Sequence, residues 1–140
     1  MLIRPFAPAD TEATVQLWQA CGLTRPWNDP YRDIARKLQV HPELFLVGAD
    51  EAGSIMASAM VGYDGHRGWI NYLAVHPAHQ RQGHARRLME RAEQLLAARG
   101  CPKLNLQIRV GNEAVIAFYA SLGYADDRTV SMGKRLLVDH

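Results

Sequence analysis

The residues of this chain best placed to do chemistry lie in the string LAVHPAHQRQGHA, from Leu73 to Ala85. Leu73, Ala74 and Val75 form an apolar run that Pro77 breaks, and Gln80, Arg81, Gln82, Gly83, His84 and Ala85 then lead directly into a helical pattern. A strand that ends in a basic, glycine-containing loop and feeds a helix offers free main-chain N–H groups and the positive end of a helix dipole. That combination suits a phosphate, so the stretch reads as an anion cradle, with Gly83 where a side chain would block close approach. Arg81, Arg86, Arg87 and Arg91 gather beside it, although Arg91 fits the solvated face of a helix better. A Walker loop would end in Gly-Lys-Ser/Thr, and a dinucleotide turn would need two more glycines and a later acidic residue; neither is present. The bland alternative is a surface turn with ordinary glycine punctuation.

A second stretch, residues 112–124, reads NEAVIAFYASLGY. Asn112 opens a helical pattern, Tyr119 follows seven residues on, and Gly123 with Tyr124 closes it. Seven residues is about two helical turns, which places Asn112 and Tyr119 on nearly the same face.

Taken together, Gln80-x-x-Gly83-x-Ala85 resembles motif A of the GNAT N-acetyltransferases, whose loop holds the pyrophosphate of acetyl-CoA, and residues 112–124 resemble their motif B. Both occur in the family's order with a strand between them, and the match covers about residues 54–124. The strings RPWNDP at 25–30 and GYDGHRG at 62–68 look like the small bacterial YpeA-type acetyltransferases. The resemblance implies an α/β (α+β) GNAT fold: a mixed, mostly antiparallel central sheet of six to seven strands with about four helices, splayed between the fourth and fifth strands. It also implies acetyl-CoA as cofactor and a primary amine, on a small molecule or on a protein, as acceptor by direct attack in a ternary complex.

Several roles follow from the resemblance. The backbone of Leu73 and Val75, with Ala74 between them, would bond the pantetheine arm, and N–H groups from Arg81 through Gln82, Gly83 and His84 to Ala85 would hold the pyrophosphate. Arg81 and Arg86 would add charge attraction, Gln80 would contribute its amide or shape the turn, and Asn112 would fix the arm from the opposite wall. Tyr119 is the candidate general acid, since a phenol near its usual pKa of about 10 can donate to a thiolate whose conjugate acid lies near about 8.5. The competing role for Tyr119 is a core aromatic beside Phe118. Many family members carry a glutamate on the strand that here reads Asn71-Tyr72, so the base stays open between Tyr72, His66, Asp64 and water. That departure motivates a second reading, an acyl-CoA-binding sensor with little catalysis. A nucleotide-phosphate binder would use the same cradle.

These residues need elements to position them. Residues 2–6 alternate as a half-buried strand, and Pro8 with Asp10 announces a helix carrying Val15, Leu17, Trp18 and Cys21 up to Gly22. Asp29 reads as an N-cap and Pro30 as the first position of a helix that runs to His41-Pro42. The loop before it would lie across an acceptor cleft, with Trp27 either there or in the core. Residues 44–48 and 54–63 form a hairpin pattern, and 69–75 return as a third strand. A helix from Gly83 to about Arg99 is followed by a strand over 104–109, a helix over 112–122 and a last strand over 130–137.

At 140 residues the chain is one domain, 1–140, long enough to bury a core unaided. A content of 48% apolar and 21% charged residues excludes disorder, and a net charge of +2 gives no reason to expect nucleic acid as a partner. Cys21 and Cys101 are far apart and fit a reduced, cytoplasmic protein, and no apolar stretch is long enough to enter a membrane. His76, His79 and His84 lack carboxylate or cysteine partners at ligand spacing, so no metal is expected. Residues 131–137 hint at a homodimer, because final strands in this fold often pair between subunits.

Overall fold

The computed structural model describes residues 1–139. Five strands, β1 (Leu2–Pro5), β2 (Phe45–Ala49), β3 (Ile55–Tyr63), β4 (Gly68–Val75) and β5 (Leu104–Asn105), form one sheet in chain order. The first three pairings are antiparallel and the β4–β5 pairing is parallel. Every residue of β2 is buried, as a strand covered on both faces requires.

Helices cover both faces. On one side α1 (Thr11–Ala20) and α2 (Pro30–Lys37) pack Val15, Leu17, Trp18 and Ile34 against Phe45, Val47 and Ala74. On the other, α3 (His84–Ala98) lays Leu88, Met89, Ala92 and Leu96 on Leu46, Val61, Ile70 and Val75, and α4 (Glu113–Ser121) adds Tyr119 to that cluster. The α2 start is as its residues dictate: the Asp29 side chain accepts from the Tyr31 N–H at 2.9 Å, and Pro30 fills the first position. The helix ends at Lys37, short of His41, whose φ of 51° lies in the left-handed region.

Two expectations are corrected. The sheet has five strands among the described residues, not six to seven, because residues 130–137 form no strand and residues 125–139 contain neither helix nor strand. The strand expected over 104–109 pairs with β4 only at Gly68 opposite Leu104 and Trp69 opposite Asn105, and Gln107 beyond it spends its amide on the Ser131 hydroxyl. Alternation marks a face, but a ladder also needs a neighbouring strand. Gly68 lets α3 pack closely at the closed end of this pairing, since a Cβ there would come within 2.7 Å of the Leu96 side chain and 3.1 Å of the Cys101 sulfur, which would have to shift.

Candidate active site

The loop between β4 and α3 carries two residues in the left-handed region, Arg81 at φ 62° and Gly83 at φ 83°. Gly83 caps α3, and a Cβ there would meet no protein atom within 4 Å, so the conformation calls for glycine and the space in front is open. The Arg87 N–H reaches the Gly83 carbonyl at 3.1 Å, beginning the helical ladder. Among the described residues, no N–H from Arg81 to Arg86 has a hydrogen-bond partner, no side chain caps the helix, and no acidic residue sits in its first turn. Successive N–H groups turned outward at a helix N-terminus form a concave anion site. Arg81 and Arg86 are exposed beside it and make no ion pair among the described residues. His84 places a buried, unpartnered Nδ1 at the same helix start. The Gln80 side chain shapes the turn, donating to the Val75 carbonyl at 3.0 Å.

Beside the cradle the sheet opens. The His76 N–H bonds the Met56 carbonyl of β3 at 2.8 Å, so alternation turns the main-chain groups of Val75, and of Leu73 before it, away from β3. On that side β5 has already ended. The Val75 carbonyl is taken by Gln80 and, at 3.3 Å, by the Cys21 thiol, while its N–H faces the gap.

In the middle of β4 the register slips. Ser58 and Met60, two apart on β3, face Ala74 and Asn71, three apart on β4, so β4 carries one extra residue. Tyr72, at φ 51°, absorbs it. Without the bulge Tyr72 would share a face with Ile70; with it, the ring crosses to the α1 side and stacks on Trp18 at 3.8 Å between centroids. The displaced Tyr72 carbonyl is satisfied by the buried Ser58 hydroxyl at 2.8 Å, which itself accepts from Trp18 Nε1 at 2.9 Å. The phenol donates to Asp33 Oδ2 at 2.6 Å, and Asn28 Nδ2 donates to the same carboxylate oxygen and, at 3.1 Å, to the phenol. Burial, then the Asp33 carboxylate, push the Tyr72 phenol far above the usual tyrosine range, so it is no base of its own.

Tyr119 lies on the opposite face. It is 8% exposed, its ring meets Phe118 and Tyr124 edge-on at 5.1 and 5.7 Å, and burial pushes its pKa up to about 12. Asn112 is exposed at the helix start and accepts from the Val115 N–H at 3.4 Å, so it shares no buried face with Tyr119.

Asp64 and His66 sit in the β3–β4 turn, where Tyr63 pairs with Gly68. Seven residues of extended strand, about 23 Å, separate that turn from Val75. Asp64 is committed there, accepting from the N–H groups of Arg67 at 2.7 Å and His66 at 2.8 Å, which hold its carboxyl below the usual range. Among the described residues, no group of three or more His, Cys, Asp or Glu is arranged to hold a metal ion, and no helix is long and apolar enough to cross a membrane. Trp27 is 48% exposed rather than core. Asp33, Asn28, Ser58 and Trp18 were not marked by sequence as a site. The signal available was a tyrosine in a strand without a carboxylate, with a polar helix start at Asn28 and Asp33 to meet it.

Residues 11–124 match the Acetyltransferase (GNAT) family, and the chain belongs to it. An acetyltransferase of Yersinia enterocolitica is 52% identical over 99% of this chain and 98% of its own length. The crystal structure of Ard1 from Thermoplasma volcanium superposes with a TM-score of 0.79 at 26% identity, covering 89% of this chain and 82% of that one. The NatB acetyltransferase complex bound to CoA and MES shares the fold, with a TM-score of 0.77 at 23% identity over 91% of this chain and 86% of that one.

Proposed function

We propose that this chain is an acetyl-CoA-dependent N-acetyltransferase that transfers an acetyl group to a primary amine, of a small molecule or of a protein N-terminus or lysine, by direct attack in a ternary complex. The observation that carries it is the pairing of six unpartnered N–H groups, Arg81 to Arg86, with a β4 edge left open beside them. A diphosphate fits the first and an amide-bearing arm the second. A neighbour of the same fold holds CoA.

When bound, acetyl-CoA supplies an acetyl carbon activated as a thioester. The chain's own residues do the rest. The Leu73 and Val75 main chain orients the arm as an added strand would, with Ala74 packed into the sheet behind. The N–H groups of Arg81, Gln82, Gly83, His84, Ala85 and Arg86 bind the diphosphate, and Arg81 and Arg86 add charge. Tyr119 donates a proton to the departing sulfur; burial pushes its pKa up to about 12, so the phenol is protonated at neutral pH. Asn112 has an amide nitrogen left for the arm once its oxygen has capped α4.

The reading includes a cytoplasmic location, supported by two free cysteines. It also includes pairing of two copies through the tail where Val130, Met132, Leu136 and Leu137 are exposed, which sedimentation would detect.

Tyr119→Phe tests the catalytic assignment. Thiol release should fall about a hundredfold while acetyl-CoA affinity, by calorimetry, stays within about twofold. Equal turnover removes Tyr119 from the mechanism. Tight acetyl-CoA binding by the wild type without thiol release across an amine panel favours a sensor instead.

A further inference from the structure

We infer that Asp33, acting through the Tyr72 hydroxyl, is the proton acceptor for the incoming amine. This rests on the proposed acetyl transfer and supplies the base that β4 itself lacks.

The argument begins with the bulge. A left-handed backbone at a non-glycine residue is costly, and it persists here because Ser58, Trp18 and Asp33 each hold part of Tyr72. Its result is to move one side chain of β4 to the α1–α2 side of the sheet, one residue from the open edge at Leu73. Tyr119 belongs to the opposite face. A thioester lying in the gap would therefore have a donor for the departing sulfur on one side and the Asp33–Tyr72 pair on the other. The loop of residues 25–30 is anchored at this point by Asn28.

The hydrogen bonds fix which way a proton can travel. The Tyr72 proton is directed at Asp33 Oδ2. Asn28 donates to both oxygens, which locks this orientation and leaves the phenol oxygen a lone pair for an amine N–H. An ammonium that donates to that oxygen can lose its proton in one concerted shift. Its N–H bond breaks as a new O–H bond forms on Tyr72, while the former Tyr72 proton passes to Asp33, leaving a neutral amine, a neutral phenol and a protonated carboxyl. Because burial keeps Tyr72 from ionising, the phenol conducts the proton without holding the charge.

The charged groups around the pair are few. On α2, Arg36 donates to Asp33 Oδ1 at 3.2 Å, and Asp29 stands at the helix start. Asp139, from the end of the chain, bonds Arg36 at 2.6 Å and Arg32 at 3.4 Å. Arg36 is thus shared between two carboxylates and meets Asp33 only at Oδ1, so Oδ2, which already accepts from the Tyr72 hydroxyl, is the oxygen that receives the proton.

The test follows thiol release from acetyl-CoA with two probe amines: methylamine, mostly cationic at neutral pH, and hydroxylamine, mostly neutral. Wild type, Asp33→Asn and Tyr72→Phe are compared, with acetyl-CoA affinity and circular dichroism checked for each. In both variants the methylamine rate should fall roughly a hundredfold further than the hydroxylamine rate, with acetyl-CoA affinity unaltered. Equal losses with both amines, or no loss in either variant, overturn the relay while leaving an acetyltransferase. A wild type that binds no acetyl-CoA, or releases no thiol with either amine, overturns the underlying reading and the relay with it.

Discussion

A tyrosine lies on each side of the sheet, Tyr72 from β4 and Tyr119 from α4, and the two are treated in opposite ways. On the α1–α2 face Tyr72 is stacked on Trp18, bonded through its carbonyl to Ser58 and through its hydroxyl to Asp33 and Asn28. On the α3–α4 face Tyr119 is buried among aromatic edges, and burial alone displaces its pKa. A hydroxyl whose proton already belongs to a carboxylate can pass a proton along but has none to give away. The Tyr119 hydroxyl bonds nothing among the described residues, so its proton is uncommitted, as the proposed donor to a departing thiolate requires. Two identical side chains thus differ through their surroundings alone, and the proposed roles of proton donor and proton relay rest on that difference.

The comparison can be broken most severely at Trp18. Trp18→Ala removes a fully buried ring that touches both Tyr72 and Phe45, and should cost about 3–5 kcal/mol in chemical denaturation while Tyr72 loses its fixed orientation. A loss below about 1 kcal/mol would mean the face is not held as described. Next comes Ser58→Ala, which leaves the Trp18 N–H and the Tyr72 carbonyl unpaired in the interior and should cost about 1–3 kcal/mol. No comparable penalty is expected from Tyr119→Phe, whose hydroxyl bonds nothing among the described residues.

Two smaller effects sharpen the contrast by pH. Spectrophotometric titration should show Tyr119 ionising only near pH 12, a signal lost in Tyr119→Phe; its folded pKa exceeds the unfolded value, so stability falls as pH rises from 10 to 12. Asp139, 1% exposed, is held by Arg36 at about 2 against an ordinary 3.8. Its folded pKa is depressed, so its contribution is present above 3.8 and lost as the pH falls through 2. Asp139→Asn should flatten acid denaturation in that window.

How much of this the sequence discloses varies by element. The turn from β4 into α3 was legible because Gly83, the basic loop and the apolar period of α3 all point one way, and so was the Asp29-Pro30 helix start. The bulge was not, because residues 69–75 read as an ordinary returning strand and one extra residue leaves no mark until Ser58 and Met60 are set opposite Ala74 and Asn71. Asp33 was invisible as a site residue for the same reason: its partner comes from a strand 39 positions away. The tail failed differently. Val130, Met132 and Leu136 alternate well enough, but no strand of the described residues lies beside them to complete a ladder.

The most direct measurement is an amide NMR titration with acetyl-CoA. The N–H signals of Gln82 to Arg86, and those of Leu73 and Val75, should shift together and saturate at one stoichiometric equivalent, with Asp64 to Gly68 at the closed end of the strand unmoved. Binding that shifts other amides and leaves these in place, or no binding at all, would contradict the assignment of the cradle and the gap.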